Sequence, residues 1–254
     1  MQTPLEALVA QHAELDSVLD TLGDGDWDRP SRCPGWSVGD IVLHLAQSNE
    51  LAVASVRGTL ADFAAALTEG IEAAGDADTL ADRVVANERG ASPAELRERY
   101  ARSSDDVLTA FAEADPHSRV LWIAGEMSLT TLATTRVAET WAHTGDIAEA
   151  VGIEMEPGER LWHVCRLSWR TLPYAFSRAG RTMSTPAQFE LTAPDGTGVW
   201  TFADAAAPSA PTVVRGPALD LCLVAVQRAD AADTALSAEG PDAAAVLELV
   251  RSFA

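Results

Sequence analysis

Apolar residues recur at three- and four-residue spacing through most of the first 150 positions. Leu5, Leu8, Val9, His12, Leu15 and Leu19 form one such stripe, which predicts an amphipathic helix over 5–22. A Gly-, Pro- and Asp-rich loop follows, and a second helix is predicted from Val38 to about Ala66. Ser37 precedes it with Asp40 three residues on, the spacing of a capping box in which Asp replaces the longer Glu. Ser92 as cap and Pro93 at the first helical position open a third helix over 93–113. A fourth spans 128–151 and stops at Gly152. Four long helices predict a bundle.

Beyond Gly152 the period changes. One more amphipathic helix is expected from Glu159 to Ala179, then short alternating runs: AQFELTA and GVWTFA around the turn PDGTG, then PTVVRG. The first two read as a hairpin. An apolar helix over 217–226, a last strand within DTALSAEG and a closing helix over 242–253 complete the chain. The expected fold is therefore α+β: a helix bundle over residues 1–152, then a smaller α+β domain over 153–254, divided where GIEMEPG breaks the helical pattern.

Charge narrows the function classes. There are 38 acidic and 18 basic residues, a formal charge of −20. Such a surface repels phosphate backbones and anionic lipids, so neither nucleic acid nor membrane is expected as a partner. Every basic residue is arginine, which excludes a Walker-A loop, a Schiff-base lysine and a lysine general base. The N-terminal run lacks the pattern of a signal peptide, and Cys33, Cys165 and Cys222 form no CxxC pair. A cytoplasmic protein without a disulfide framework is expected.

Chemistry concentrates on the fourth helix. Glu139, His143 and Asp146 stand at i, i+4 and i+7, so all three project from one stripe. A carboxylate and an imidazole one turn apart can share a divalent ion, with a third ligand from another helix. His44 is the natural candidate, because it interrupts the apolar run IVLHLA. The plain alternative is an i,i+4 hydrogen bond, with His44 a satisfied core histidine. Asp146 is open to three roles: fourth ligand, base, or orienter of His143. Asp40, one turn before His44, can be read as its orienter.

Other signals weigh less. Gly35-Trp36-Ser37-Val38-Gly39 matches a nucleophile elbow, but no core strand precedes it, and a capping Ser37 explains the serine better. Asp24, Asp26 and Asp28 resemble a calcium loop whose turn glycine and final glutamate fall on Arg29 and Gly35, so a solvated turn is expected. Cys33 precedes a helix N-terminus, yet nothing nearby in sequence activates it, and a structural role is expected. His12 is expected in the core and His163 in packing; His117 has no partner at ligand spacing. Trp36 and Trp141 flank these motifs as pocket walls or as plain core.

With these residues in hand, the run from Arg29 to Leu45 around Cys33-Pro34-Gly35-Trp36 and His44 resembles a signature of the DinB-like mycothiol-dependent maleylpyruvate isomerase family. Arg136 to Gly152, bearing Glu139, His143 and Asp146, resembles its second signature, and Arg215 to Arg228 its small C-terminal domain. The resemblance implies a DinB-like four-helix bundle holding a divalent metal, zinc above all, by His44, Glu139 and His143. It implies an isomerase or transferase that activates a low-molecular-weight thiol such as mycothiol against a small electrophilic substrate. Asp146 would take or relay a proton, and Arg228, or Arg215, would hold a substrate carboxylate. The lysine-free, alanine-rich chain fits an actinobacterial source. A hydrolase using metal-activated water, a ligand-binding module and a purely structural metal are the competing expectations.

Overall fold

The computed structural model describes residues 2–123, 125–206 and 209–252. Packing divides them into two compact units, Pro4–Met155 and a second formed by Glu156 onward with residues 2–3. No helix among the described residues is long and apolar enough to cross a membrane.

The first unit is the four-helix bundle. Its long helices are α1 (Pro4–Leu19), α2 (Val38–Val56), α5 (Pro93–Glu113) and α6 (Leu129–Val151), with α2 lying along α5 and α1 along α6. The caps fall where their residue types require. Ser37 Oγ accepts from the Asp40 amide (3.2 Å) while Asp40 Oδ2 accepts from the Ser37 amide (2.9 Å). Ser92 and Glu95 repeat the box on α5 with Pro93 inside it, Ser128 caps α6, and Gly152 ends α6 at φ +76°. Each side-chain cap is worth about 1 kcal/mol.

Three features differ from the sequence expectation. The helix expected to run to Ala66 ends at Val56, because Gly58 adopts φ +75° and the chain restarts as α3 (Leu60–Leu67). A further helix, α4 (Ala77–Glu88), buries only Val84 and Val85 and so has no stripe to read. A hairpin of β1 (Arg119–Trp122) and β2 (Gly125–Ser128) joins α5 to α6, each strand four residues long and too short for a period to show.

The bundle interior is layered. One apolar cluster includes Leu15, Trp36, Ile41, Leu45, Leu96, Tyr100 and Ile147; the other includes Leu8, Ala52, Val107, Phe111, Leu132 and Val137. Along every long helix, buried polar residues fall between the two: Gln11 and His12 on α1, Gln47, Ser48 and Asn49 on α2, Ser103 and Ser104 on α5, Glu139, Thr140 and Thr144 on α6. Most such groups in a core bond to one another, because an unpaired one is costly to bury. Gln11 Nε2 donates to Thr144 Oγ1 (3.1 Å), and Asn49 Nδ2 to Ser103 Oγ (3.3 Å).

The second unit holds α7 (Leu161–Arg170), α8 (Leu172–Arg178), β3 (Ala187–Thr192), β4 (Val199–Phe202), β5 (Thr212–Pro217), α9 (Ala218–Ala225), β6 (Ser237–Glu239) and α10 (Ala243–Leu249). The single helix expected over 159–179 is two, since Pro173 has no N–H to continue the ladder. The sheet runs β4-β3-β5-β6, with the expected β3–β4 hairpin antiparallel and β3–β5 parallel. Phe189 and Leu191 of β3 are wholly buried. The free thiols Cys165 of α7 and Cys222 of α9 meet at 3.4 Å.

Two predictions follow from packing. The Tyr100 hydroxyl shares a hydrogen bond with His12 Nδ1 at 3.0 Å, Ser104 lies against the same nitrogen, and Nε2 meets no partner among the described residues. Burial, then the Arg136 charge, push the His12 pKa down from 6.5 to about 4. The unfolded chain therefore protonates this histidine below pH 6.5 and the folded chain only near 4, so stability falls as pH falls through that window. The loss reaches about 3 kcal/mol, at ~1.4 kcal/mol per pH unit. Urea unfolding of His12→Gln should show a shallower decline across the same window; an equal decline in both proteins would count against this assignment. In the second unit, Gly240 has φ +105°, and a Cβ there would lie 2.1 Å from the Pro211 carbonyl oxygen. Gly240→Ala should destabilise by roughly 2 kcal/mol or more, read as a lower Tm.

Candidate metal centre

The capping box that starts α2 fixes which of its residues face inward, and His44 falls between the buried Leu43 and Leu45. From α6, Glu139 and His143 meet it, with Asp146 behind His143. His44 Nε2–H donates to Glu139 Oε1 at 2.8 Å, and His143 Nε2 lies 4.0 Å from the same oxygen. His143 Nδ1–H donates to Asp146 Oδ2 at 2.9 Å, which fixes the ring with Nε2 toward Glu139. The ligand atoms of His44, Glu139 and His143 all lie within 4.8 Å of one another. Their side chains are 16%, 10% and 12% exposed, so the cluster sits just inside the bundle surface, while Asp146 is at 1%.

The electrostatics leave one ionised carboxylate for a cation to neutralise, with binding coupled to loss of the proton that His143 carries. Burial alone would raise the Glu139 pKa, but the His44 hydrogen bond, the Arg136 charge and both imidazoles override it and hold the carboxylate ionised. Burial lowers the His44 pKa despite the Glu139 bond and keeps this ring neutral. Burial also opposes protonation of His143, and is overcome by hydrogen bonds to Asp146 and Cys33 and by the Glu139 charge, which together raise it to about 9. Two imidazole nitrogens and one ionised carboxylate oxygen, converging and partly exposed, form a donor set that fits a zinc-type ion and leaves coordination positions open.

The loop before α2 closes over this cluster. The Trp36 ring lies 4.9 Å from that of His44 and stacks at 6.2 Å on that of His143. Its turn is held by Ser31 N–H donating to the Trp36 carbonyl (2.9 Å) and Trp36 N–H donating to that of Cys33 (3.0 Å), with Gly35 at φ +82°. Arg29 and Arg32 reach the far end of α6, at the Ala150 carbonyl (3.3 Å) and Glu149 (3.1 Å).

A model of the mycothiol maleylpyruvate isomerase N-terminal domain matches residues 8–148, the part of the chain that contains this cluster. The chain belongs to this family. Two Mycobacterium tuberculosis proteins, from strains CDC 1551 / Oshkosh and ATCC 25618 / H37Rv and each called an uncharacterized protein, are 32% identical to it over 255 residues, or 97% of this chain and 93% of theirs. The crystal structure of a mycothiol-dependent maleylpyruvate isomerase has a similar fold, with TM-score 0.63 at 17% identity over 95% of this chain and 99% of that one. A histidine-to-alanine mutant of that enzyme matches at TM-score 0.62 with the same coverage.

Several sequence expectations change. Cys33 has neighbours after all: its Sγ donates to Asp146 Oδ2 at 3.4 Å, and its thiol also bonds to His143. They are remote in sequence, joined only when the loop folds back. Asp40 does not serve His44; Arg89 takes it (2.8 Å), along with the Ser37 amide. Ser37 is a helix cap, as expected. Arg215 lies on β5, engaged by Glu190 (2.7 Å) and Glu239 (3.3 Å). Arg228 follows α9 in the second unit and donates to the Val226 carbonyl at 2.9 Å. Trp141 is half-buried on α6, and His163 Nε2–H donates to the Gln2 carbonyl at 3.0 Å. The residue that sequence reasoning passed over is Arg136, buried beside Glu139.

The exposure of the thiols is directly testable. Cys33 is partly exposed, while Cys165 and Cys222 are at 0%. Iodoacetamide on the native protein should modify Cys33 alone, and all the cysteines after denaturation. Peptide mapping that finds native labelling at Cys165 or Cys222 would contradict the packing of α7 on α9.

Proposed function

We propose that this protein is a metal-dependent enzyme that uses a low-molecular-weight thiol, mycothiol or a close analogue, to isomerise a small electrophilic substrate or to transfer the thiol to it. The observation that carries the proposal is the convergence of His44 Nε2, His143 Nε2 and Glu139 Oε1 in a chain of this family. A divalent ion at that point, most simply Zn²⁺, supplies a Lewis acid that makes a thiol available as thiolate at neutral pH. His44, Glu139 and His143 hold it. Asp146, almost wholly buried, acts through the Nδ1–H of His143, keeping the ring oriented and its charge compensated. Trp36 shields one side of the cluster from water, which strengthens the electrostatics inside it. His₂-carboxylate sets with open positions suit catalysis rather than a purely structural metal, which takes a closed shell of four protein ligands.

Protein prepared without chelator or nickel resin should carry about one divalent ion per chain by elemental analysis, and His44→Ala should carry almost none. Turnover of a cis–trans isomerisable or alkylating electrophile should require added mycothiol and should be lost in the variant. Equal turnover without thiol would replace this proposal with hydrolysis, and metal-free, fully active His44→Ala would overturn the site.

A further inference from the structure

Arg136 is a charge buried in the polar layer, with 3% of its side chain exposed. Its Nη1 donates to Ser48 Oγ on α2, its guanidinium carbon lies 5.0 Å over the Trp122 ring, and its Nε has no partner among the described residues. Glu139 is the carboxylate it faces, with Nη2 3.9 Å from Oε2. That separation is an ion pair without a hydrogen bond. Glu139 thus presents its two oxygens to different groups, Oε1 to the histidines and Oε2 to a fixed positive charge.

Resting on the metal-centre proposal above, we infer that Arg136 is a positioning residue that acts through Glu139, sharing the carboxylate's charge so that the centre holds its cation less tightly and an anionic thiolate more tightly. The charge count gives the direction. Glu139 and Asp146 contribute two negative charges, and Arg136 returns one positive charge beside them. A divalent ion then leaves the group of charges at +1, which one thiolate brings to zero; without Arg136 the ion alone would neutralise the group. A guanidinium kept only as scaffolding predicts the opposite sign, because its loss would let Glu139 wander and weaken the cation.

The test is zinc affinity by competition with a chromophoric chelator, together with mycothiol affinity of the zinc-loaded protein by calorimetry. Wild type is compared with Arg136→Met, which keeps length and removes charge, and with Arg136→Lys, which keeps charge. Arg136→Gln is the second neutral variant should Met prevent folding. Charge interactions in a partly desolvated site are large enough that the neutral variant should bind zinc about tenfold or more tightly and mycothiol about tenfold or more weakly. The lysine variant should restore both toward wild type. Zinc binding that weakens or stays unchanged in the neutral variants overturns the inference while leaving the metal centre standing. A wild type that binds no zinc overturns both, so the two failures are distinguishable.

Discussion

An ionised carboxylate and a guanidinium buried in a helical bundle cost more than the apolar packing around them repays unless each is compensated in place. In this protein the compensation runs as a chain: Trp122 and Ser48 hold Arg136, Arg136 faces Glu139, Glu139 accepts from His44, and on its other side lies His143, itself held by Asp146. Every member comes from α2, α6 or the hairpin before α6, so the register of those elements is set by the need to close the chain. A one-residue slip of α2 would turn His44 away by about 100° and leave Glu139 without the hydrogen bond from His44. The polar layer is thus what selects one packing of the bundle among those that would bury similar apolar area.

The same constraint explains what the sequence disclosed. The capped helix starts at Ser37, Ser92 and Ser128 and the stop at Gly152 are local chemistry, and each lies where the residue types place it. The bundle followed by a smaller α+β unit was legible for the same reason, as was the β3–β4 hairpin around PDGTG. Glu139 and His143 were visible as an i,i+4 pair, and His44 as a polar residue in an apolar run. What stayed hidden depends on contacts between distant segments or on elements with little burial. Helix α4 buries two valines, and β1 and β2 are four residues each. Arg136 gave no signal beyond opening the second signature, because one sequence cannot show that Ser48 and Trp122 lie against it. Asp40 looked free to orient His44 until Arg89 arrived from beyond α4.

Cys33 is the sharpest case. Judged from its neighbours in sequence it sits in an ordinary turn, yet the turn carries two side chains into the cluster at once, Cys33 against Asp146 and Trp36 against both histidines. The loop is pinned at both ends. Val38 and Gly39 amides donate to the Arg29 and Trp27 carbonyls, tying it to the start of α2, and Arg29 and Arg32 tie it to the end of α6. It cannot shift without moving the ring of His143 or breaking the cap that sets the phase of His44.

That arrangement makes the loop and the cluster a single cooperative unit. His143 donates from Nδ1 to Asp146 and faces Glu139 with Nε2, so its orientation is decided jointly by the loop side and the bundle side. Asp146 in turn accepts from both His143 and Cys33, which means that one carboxylate couples the folded turn to the geometry of the proposed ligands. The turn and the buried layer therefore meet at His143, so a change in either is felt at the orientation of that ring.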